Sequence, residues 1–383
     1  MMKQQFRPQQ LFDGQQLLGN PLITVENGRV SAIELNNKTT QAIELQGMLS
    51  PGFIDVQVNG GGGLLFNNAP NLNTLKQMSY AHSQFGSTGI MPTVITDDIE
   101  IMKQAADAVS QAISINLPGI LGIHFEGPHL SVPKKGVHPQ AHIRAISAAE
   151  WQVFERNDLG IKMITLAPEC VSPDDIKHLK SLGWIICLGH SNTDLLTAQN
   201  ALNAGANGFT HLFNAMSPLT SREPGMVGAA LMAEQAFCGI IIDHHHVHPE
   251  MAKLAFKLKG ADKLALVTDA MALIGSDQNS FSLFGETIYL NQDKLTILTG
   301  QLAGSHLSMQ QAVKNCVNDL QLPLSDVLKM ATSTPAHWLN QSQKLGKIAV
   351  GYPADWVLLD QELNVTQSWF SGINREQTFK IYS

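Results

Sequence analysis

Several things are scarce in this chain of 383 residues, and each shortage excludes something. No apolar run is long enough to span a bilayer, which argues against an integral membrane protein. Charged residues are 15% of the total, below the usual quarter, and the net charge is -7. That balance argues against a general nucleic-acid binder or an anionic-membrane binder, so an anionic substrate would need a local basic pocket. The first residues, Met1 to Pro8, lack the apolar centre of a signal peptide. Only four cysteines occur, Cys170, Cys187, Cys238 and Cys316, too far apart for a paired motif. Reduced thiols in a cytoplasmic protein are therefore expected. No solenoid repeat and no early glycine-rich dinucleotide fingerprint appear. Histidine is what the chain has in plenty: fourteen residues, enough to raise the question of a metal site.

Residues 1–50 read as short strands, with Asn27-Gly28 between two of them as a hairpin turn. From Pro51 onward strands alternate with helices. Eight apolar runs stand at 53–58, 89–95, 120–125, 161–166, 184–188, 208–212, 238–242 and 264–268. Spacings of three and four predict helices over 72–85, 101–113, 176–182 and 195–204. Gly86, Gly183, Gly205 and Gly260 sit where helices should stop. Eight such units favour an α/β fold of the closed (β/α)8, TIM-like kind over an open sheet. Two more helices are expected over 307–320 and 324–339, followed by short strands at 356–359 and 365–369. The two ends share a β character that the middle lacks. The expected division is a small β-sandwich from 1–50 and 341–383 beside a barrel over 51–340. The glycine run 60–63 reads as a flexible loop over the barrel mouth.

In a barrel, residues at the carboxyl ends of strands face the mouth. Those ends supply Gln57 and Asn59, Thr96 and Asp97, Glu126, Glu169, His190, His211, Asp243 and Asp269. Glu126 follows an apolar run cut off by Gly127-Pro128, and a buried carboxylate there is costly unless paired or bound to a metal. Glu126, His190 and His211 make a three-ligand set of the kind that leaves one position open on a catalytic zinc. Two imidazoles and a carboxylate suit other divalent ions as well. Asp269 is a candidate general base, its alternative being a helix N-cap. Asn214-Ala215, with backbone N–H groups, and Arg222 offer a seat for phosphate. The alternative for Arg222 is a surface charge or a partner for Glu223. A run of adjacent histidines, 244–246, cannot all face one ion.

Taken together, these segments resemble the amidohydrolase superfamily, and within it the deacetylases of N-acetylglucosamine 6-phosphate. The resemblance runs from Pro51-Gly52-Phe53-Ile54-Asp55 through His124-Phe125-Glu126-Gly127-Pro128, Gly136-Val137-His138 and Gly189-His190-Ser191-Asn192. It continues in Thr210-His211-Leu212-Phe213-Asn214-Ala215, Arg222-Glu223-Pro224-Gly225, Val267-Thr268-Asp269-Ala270 and Leu302-Ala303-Gly304. By resemblance, Glu126, His190 and His211 bind the metal, Asp269 is the acid–base residue, and His138 polarises the substrate carbonyl. Asn214, Ala215, Arg222 and His246 match sugar-phosphate contacts, with Val137, Leu302, Ala303 and Gly304 lining the pocket. Family members are dimers, so Arg222 is expected to act across the interface. Where many amidohydrolases carry His-x-His and two metals, this chain has Gln57 and Asn59, which implies one divalent ion per subunit, zinc first. His244 stands where the family usually has glycine. The implied activity is removal of acetate from N-acetylglucosamine 6-phosphate, leaving glucosamine 6-phosphate. The alternatives are the galactosamine epimer, another amide, or a non-catalytic barrel that only binds. Such a barrel usually loses a ligand or the acid–base carboxylate, and neither is lost here.

Overall fold

The computed structural model describes residues 3–37, 39 and 41–382. Its centre is a sheet of eight strands in sequential order, from Phe53–Val58 and Ser87–Ile95 to Phe237–Ile240 and Leu264–Leu266. Every neighbouring pair is parallel. A parallel bridge from Val58 to Ala270 and the bond from Asp269 N–H to the Gln57 carbonyl (3.0 Å) bring the last strand back to the first. The strands read as unbroken apolar runs because helices cover the outer face while side chains fill the interior. Their helices end where glycine permits a left-handed residue: Gly86, Gly183, Gly205 and Gly260 have φ of 88°, 86°, 133° and 68°.

Strands from both ends of the chain share a second sheet, in which Trp356–Leu359 pairs antiparallel with Ile43–Pro51. Its own core places Phe6 edge-on to Trp356 and Trp369, at 5.4 and 6.3 Å between centroids. The fold is thus a (β/α)8 barrel with a small β-sandwich built from the terminal segments.

Two local expectations need correction, and one element was not expected. The stretch 324–339 is two helices, Leu324–Ala331 and Ser333–Trp338, broken at Thr332. Pro335 explains the break, because its ring would strike the carbonyl four residues back in a continuous helix. The glycine run is no flexible loop. Gly60–Gly61 pairs with Leu64–Leu65 in a tight hairpin, and Gly62 and Gly63 donate to the carbonyls of Ile274 and Ala272 at 2.7 and 2.8 Å. Finally, the segment after the eighth strand forms an unforeseen antiparallel sheet, Ser280–Leu283, Glu286–Asn291 and Lys294–Thr296. Its buried side chains, Leu283, Ile288 and Leu295, pack on Ile95, Met271 and Ala303, so it forms a flap over one wall of the mouth.

Candidate active site

Glu126 ends the third barrel strand, Gly122–Glu126, and its side chain is buried at the mouth. Its Oε1 lies 3.1 Å from His190 Nε2 and 3.0 Å from His211 Nε2, and the two nitrogens are 2.9 Å apart. Such a triangle is close to one face of a tetrahedron around an ion with bonds of about 2.0 Å, whose edge is roughly 3.3 Å. The tautomer of His190 also fits. Its Nδ1 donates to the Lys134 carbonyl at 2.9 Å, which leaves the Nε2 lone pair free for a cation. His211 Nδ1 has no partner among the described residues. Burial pushes the Glu126 carboxyl up, but the neighbouring His190 and His211 rings outweigh it and hold the group well below its usual range. The donor set fits a divalent metal ion.

Ligand atoms of Glu126, His138 and His190 also lie within 4.8 Å of one another. His138 is nonetheless a poorer ligand. Its Nδ1 accepts the Thr96 backbone N–H at 3.3 Å and lies 2.9 Å from Thr96 Oγ1. An accepting Nδ1 puts the proton of the neutral ring on Nε2. Burial, and then the neighbouring His190, keep this ring neutral by holding its pKa well below the ordinary value. What His138 has to offer is therefore an N–H donor.

Asp269 follows the eighth strand with φ of 52°, a left-handed backbone that only surrounding structure can hold. His190 and His211 share that feature, at 48° and 33°. Asp269 Oδ1 accepts from Asn59 Nδ2 at 2.6 Å and Gln57 Nε2 at 3.2 Å, so Oδ2 is the oxygen left to move a proton. Burial, and then the Glu126 charge, raise this carboxyl to about 6. Gln57 Nε2 also donates to Glu126 Oε1 at 3.1 Å.

Asn59, Glu126, His138, His190, His211 and Asp269 line one cavity of about 200 Å³ that also takes in Val137, Asn214, Ala215, His246, Leu302 and Gly304. Ala303 is not in its wall, being packed into the apolar cluster beneath the flap. Asn214 N–H bonds the His211 carbonyl at 3.0 Å, whereas the backbone N–H of Ala215, at φ of 50°, has no acceptor among the described residues. Arg222 is exposed and lines no part of the cavity. Nor does it pair with Glu223, whose Oε1 accepts the N–H groups of Leu195 and Gly225. Among the described residues the cavity wall holds no lysine or arginine. A larger cleft of about 770 Å³, lined in part by Asp243 and His244, shares no lining residue with the Glu126 cavity.

The histidines of the opening motif take different parts. His124 donates from Nδ1 to the Val56 carbonyl at 2.9 Å, and its Nε2 lies 2.7 Å from Thr165 Oγ1, which makes it a buried structural residue. His129 Nδ1 bonds the Arg144 carbonyl at 2.8 Å. Thr96, which orients His138, stood among the strand-end residues without a role. The Lys134 carbonyl that orients His190 had no sequence signal, because any residue carries one.

The amidohydrolase family matches residues 48–380. The chain is 55% identical over 326 residues to an N-acetylgalactosamine-6-phosphate deacetylase of a Shewanella species, covering 85% of this chain and 82% of that one. It is 34% identical to the N-acetylglucosamine-6-phosphate deacetylase of Haemophilus influenzae, covering 87% and 88%. The crystal structure of N-acetylglucosamine-6-phosphate deacetylase from Pasteurella multocida superposes with a TM-score of 0.92 at 35% identity, covering 97% and 99%. The chain belongs to the amidohydrolase family, among its N-acetylhexosamine-6-phosphate deacetylases.

Proposed function

We propose that this enzyme hydrolyses the acetamide of N-acetylglucosamine 6-phosphate, giving acetate and glucosamine 6-phosphate for amino-sugar catabolism in the cytoplasm. The observation that carries this is the triangle of Glu126, His190 and His211 beside a free Asp269 oxygen and a neutral His138 donor. Those ligand residues would hold one divalent ion, zinc first, which when bound activates water and polarises a carbonyl. Asp269 takes the proton of the attacking water and later returns it to the leaving amine. His138 donates from Nε2 to the oxygen on which negative charge develops. Gln57 and Asn59 keep the Asp269 carboxylate turned toward the water. Val137, Leu302 and Gly304 exclude solvent from the sugar. Ala303 acts through the packing beneath the flap.

His246, Asn214 and Ala215 are assigned to the sugar phosphate on the pocket's own side. The absence of lysine and arginine from the wall supports assigning the missing cation to Arg222 of a second subunit in a homodimer. Exposed apolar residues near Arg222 in sequence and on the neighbouring helices, Leu196, Leu219, Met232 and Leu258, suit such an interface. The boundaries 1–50 with 341–383 for the sandwich and 51–340 for the barrel are proposed with it. No nucleic acid or membrane partner is proposed. Among the described residues no helix is long and apolar enough to cross a membrane.

A second reading rests on one observation, the 55% identity to a relative named for the galactosamine epimer. A panel of both N-acetylhexosamines, with and without the 6-phosphate, decides between them by acetate release. Faster turnover of the galactosamine ester would favour the second reading. Equal turnover of phosphorylated and plain sugars would contradict both.

A further inference from the structure

Three consecutive histidines follow the seventh barrel strand, and each meets a different aspartate. His244 Nε2 lies 2.9 Å from Asp319, His245 Nε2 lies 2.9 Å from Asp293, and His246 Nδ1 lies 2.6 Å from Asp243 Oδ2. The first two pairs tie the loop outward, to the end of a helix and to the flap. The third faces inward, because His246 lines the Glu126 cavity. Asp243 is held firmly: its Oδ1 accepts the backbone N–H groups of His245 and His246, both at 2.9 Å. Its other oxygen serves His246 alone.

The cavity lacks lysine and arginine, and its other imidazoles are committed. His190 and His211 turn their Nε2 atoms to Glu126, and His138 is a neutral donor. His246 is the ring that remains, with Nδ1 engaged and no described partner at Nε2. We infer that Asp243 is a positioning residue for substrate binding, fixing the His246 ring so that its Nε2–H meets the anionic group of the substrate. Resting on the assignment of the pocket to a sugar phosphate, this deepens it. In the complex the ring donates at both nitrogens, to Asp243 on one side and to phosphate on the other, which makes it an imidazolium. His246 is then the cation that this chain itself contributes to the pocket, beside the Arg222 assigned to the second subunit.

Asp243→Asn separates charge from shape. The amide still accepts the loop's two N–H groups, but it presents an N–H to Nδ1, so the ring keeps one proton, on Nε2, and is neutral. The expected result is a KM for the 6-phosphate substrate raised about tenfold, the difference between a charged and a neutral hydrogen bond. Turnover at saturation should stay within about threefold, and the KM of the unphosphorylated sugar should not move. Added to His246→Gln, the same substitution should change KM by less than about twofold, because the two residues act as one unit. Metal content, measured alongside, reports an intact barrel. If Asp243→Asn loses its metal, His246→Gln alone carries the same contrast between the two sugars. An unchanged KM, an equal rise for both sugars, or effects that multiply in the double variant would overturn the inference. No acetate release by the unaltered enzyme is a separate result, and it removes the pocket assignment on which the inference stands.

Discussion

Gln57 Nε2 donates to Glu126 Oε1 at 3.1 Å, where many amidohydrolases place a metal-binding histidine. Its other partner, Asp269 Oδ1 at 3.2 Å, is also a carboxylate oxygen, so the amide nitrogen must face both. A nitrogen that donates two hydrogen bonds has no lone pair for a cation. The position braces two carboxylates instead of building a second metal site. Metal analysis of the purified protein should therefore find one divalent ion per chain, and Glu126→Gln should lower that to near zero. Two ions per chain would contradict the role given to Gln57 and Asn59.

Asp269→Asn should leave the metal bound, since none of the three ligand atoms is touched. An amide accepts the bonds from Asn59 and Gln57 as before but takes up no proton. Turnover should fall by about 10² to 10⁴, the usual size of a general acid–base contribution. The pH profile of the unaltered enzyme follows from the same group. With Asp269 raised to about 6 by burial and the Glu126 charge, the active carboxylate is lost as pH falls through that value. A bound cation favours the carboxylate and moves the limb lower. Catalytic efficiency should thus be flat from pH 7 and decline on the acid side of 6, and a decline beginning above 7 would assign the base elsewhere.

Much of this site is legible in the sequence because strands and their ends leave plain marks. Ile161–Leu166 and Phe53–Val58 are continuous apolar runs with exact ends, since burial on both faces admits little else. Glu126, His190, His211 and Asp269 each stand just beyond such a run, so periodicity places them at one rim. The flap over Ser280–Thr296 left a weak mark. Its strands are short and half-exposed, and they earn their place only by packing Leu283, Ile288 and Leu295 on the barrel mouth. Arg222 is legible as a cation, and in the single chain it stands exposed, outside the cavity wall. The Asp243–His246 contact depends on a loop closing over three residues, which composition does not report.

Asp55 gives a stability prediction. It is buried behind the site, where its carboxylate accepts from Thr268 and from the Gln57 N–H at 3.2 Å, and burial raises it to about 7. Between the unfolded value near 4 and this folded one, the folded chain keeps a proton that the unfolded chain has lost. Stability from this group is complete below about pH 4 and is lost as pH rises through 7. Asp55→Asn removes that slope. Its unfolding free energy should gain on that of the unaltered chain between pH 5 and 7, by an amount on the order of a few kcal/mol. Parallel pH curves for the two proteins would show that Asp55 is ionised throughout.

His244 tests how much a departure from glycine costs. Its φ of 64° lies in the left-handed region, a strain of roughly 1 kcal/mol for a side-chain-bearing residue. Its pairing with Asp319, both partly exposed, contributes about 0–1 kcal/mol. His244→Gly relieves the first and removes the second, so the unfolding free energy should stay within about 1 kcal/mol of the parent. A loss above about 2 kcal/mol in denaturant unfolding would show that the pair holds the whole loop.

The central claim, a metal-dependent amide hydrolase acting on an amino-sugar phosphate, is tested most directly by acetate release. Metal-loaded enzyme and enzyme stripped by a chelator are given N-acetylglucosamine 6-phosphate, and acetate and free amine are measured together. The account predicts equal amounts of both from the loaded enzyme, loss of both after chelation, and recovery on adding back one equivalent of zinc. No acetate from the loaded enzyme, or full release after complete removal of metal, would contradict it.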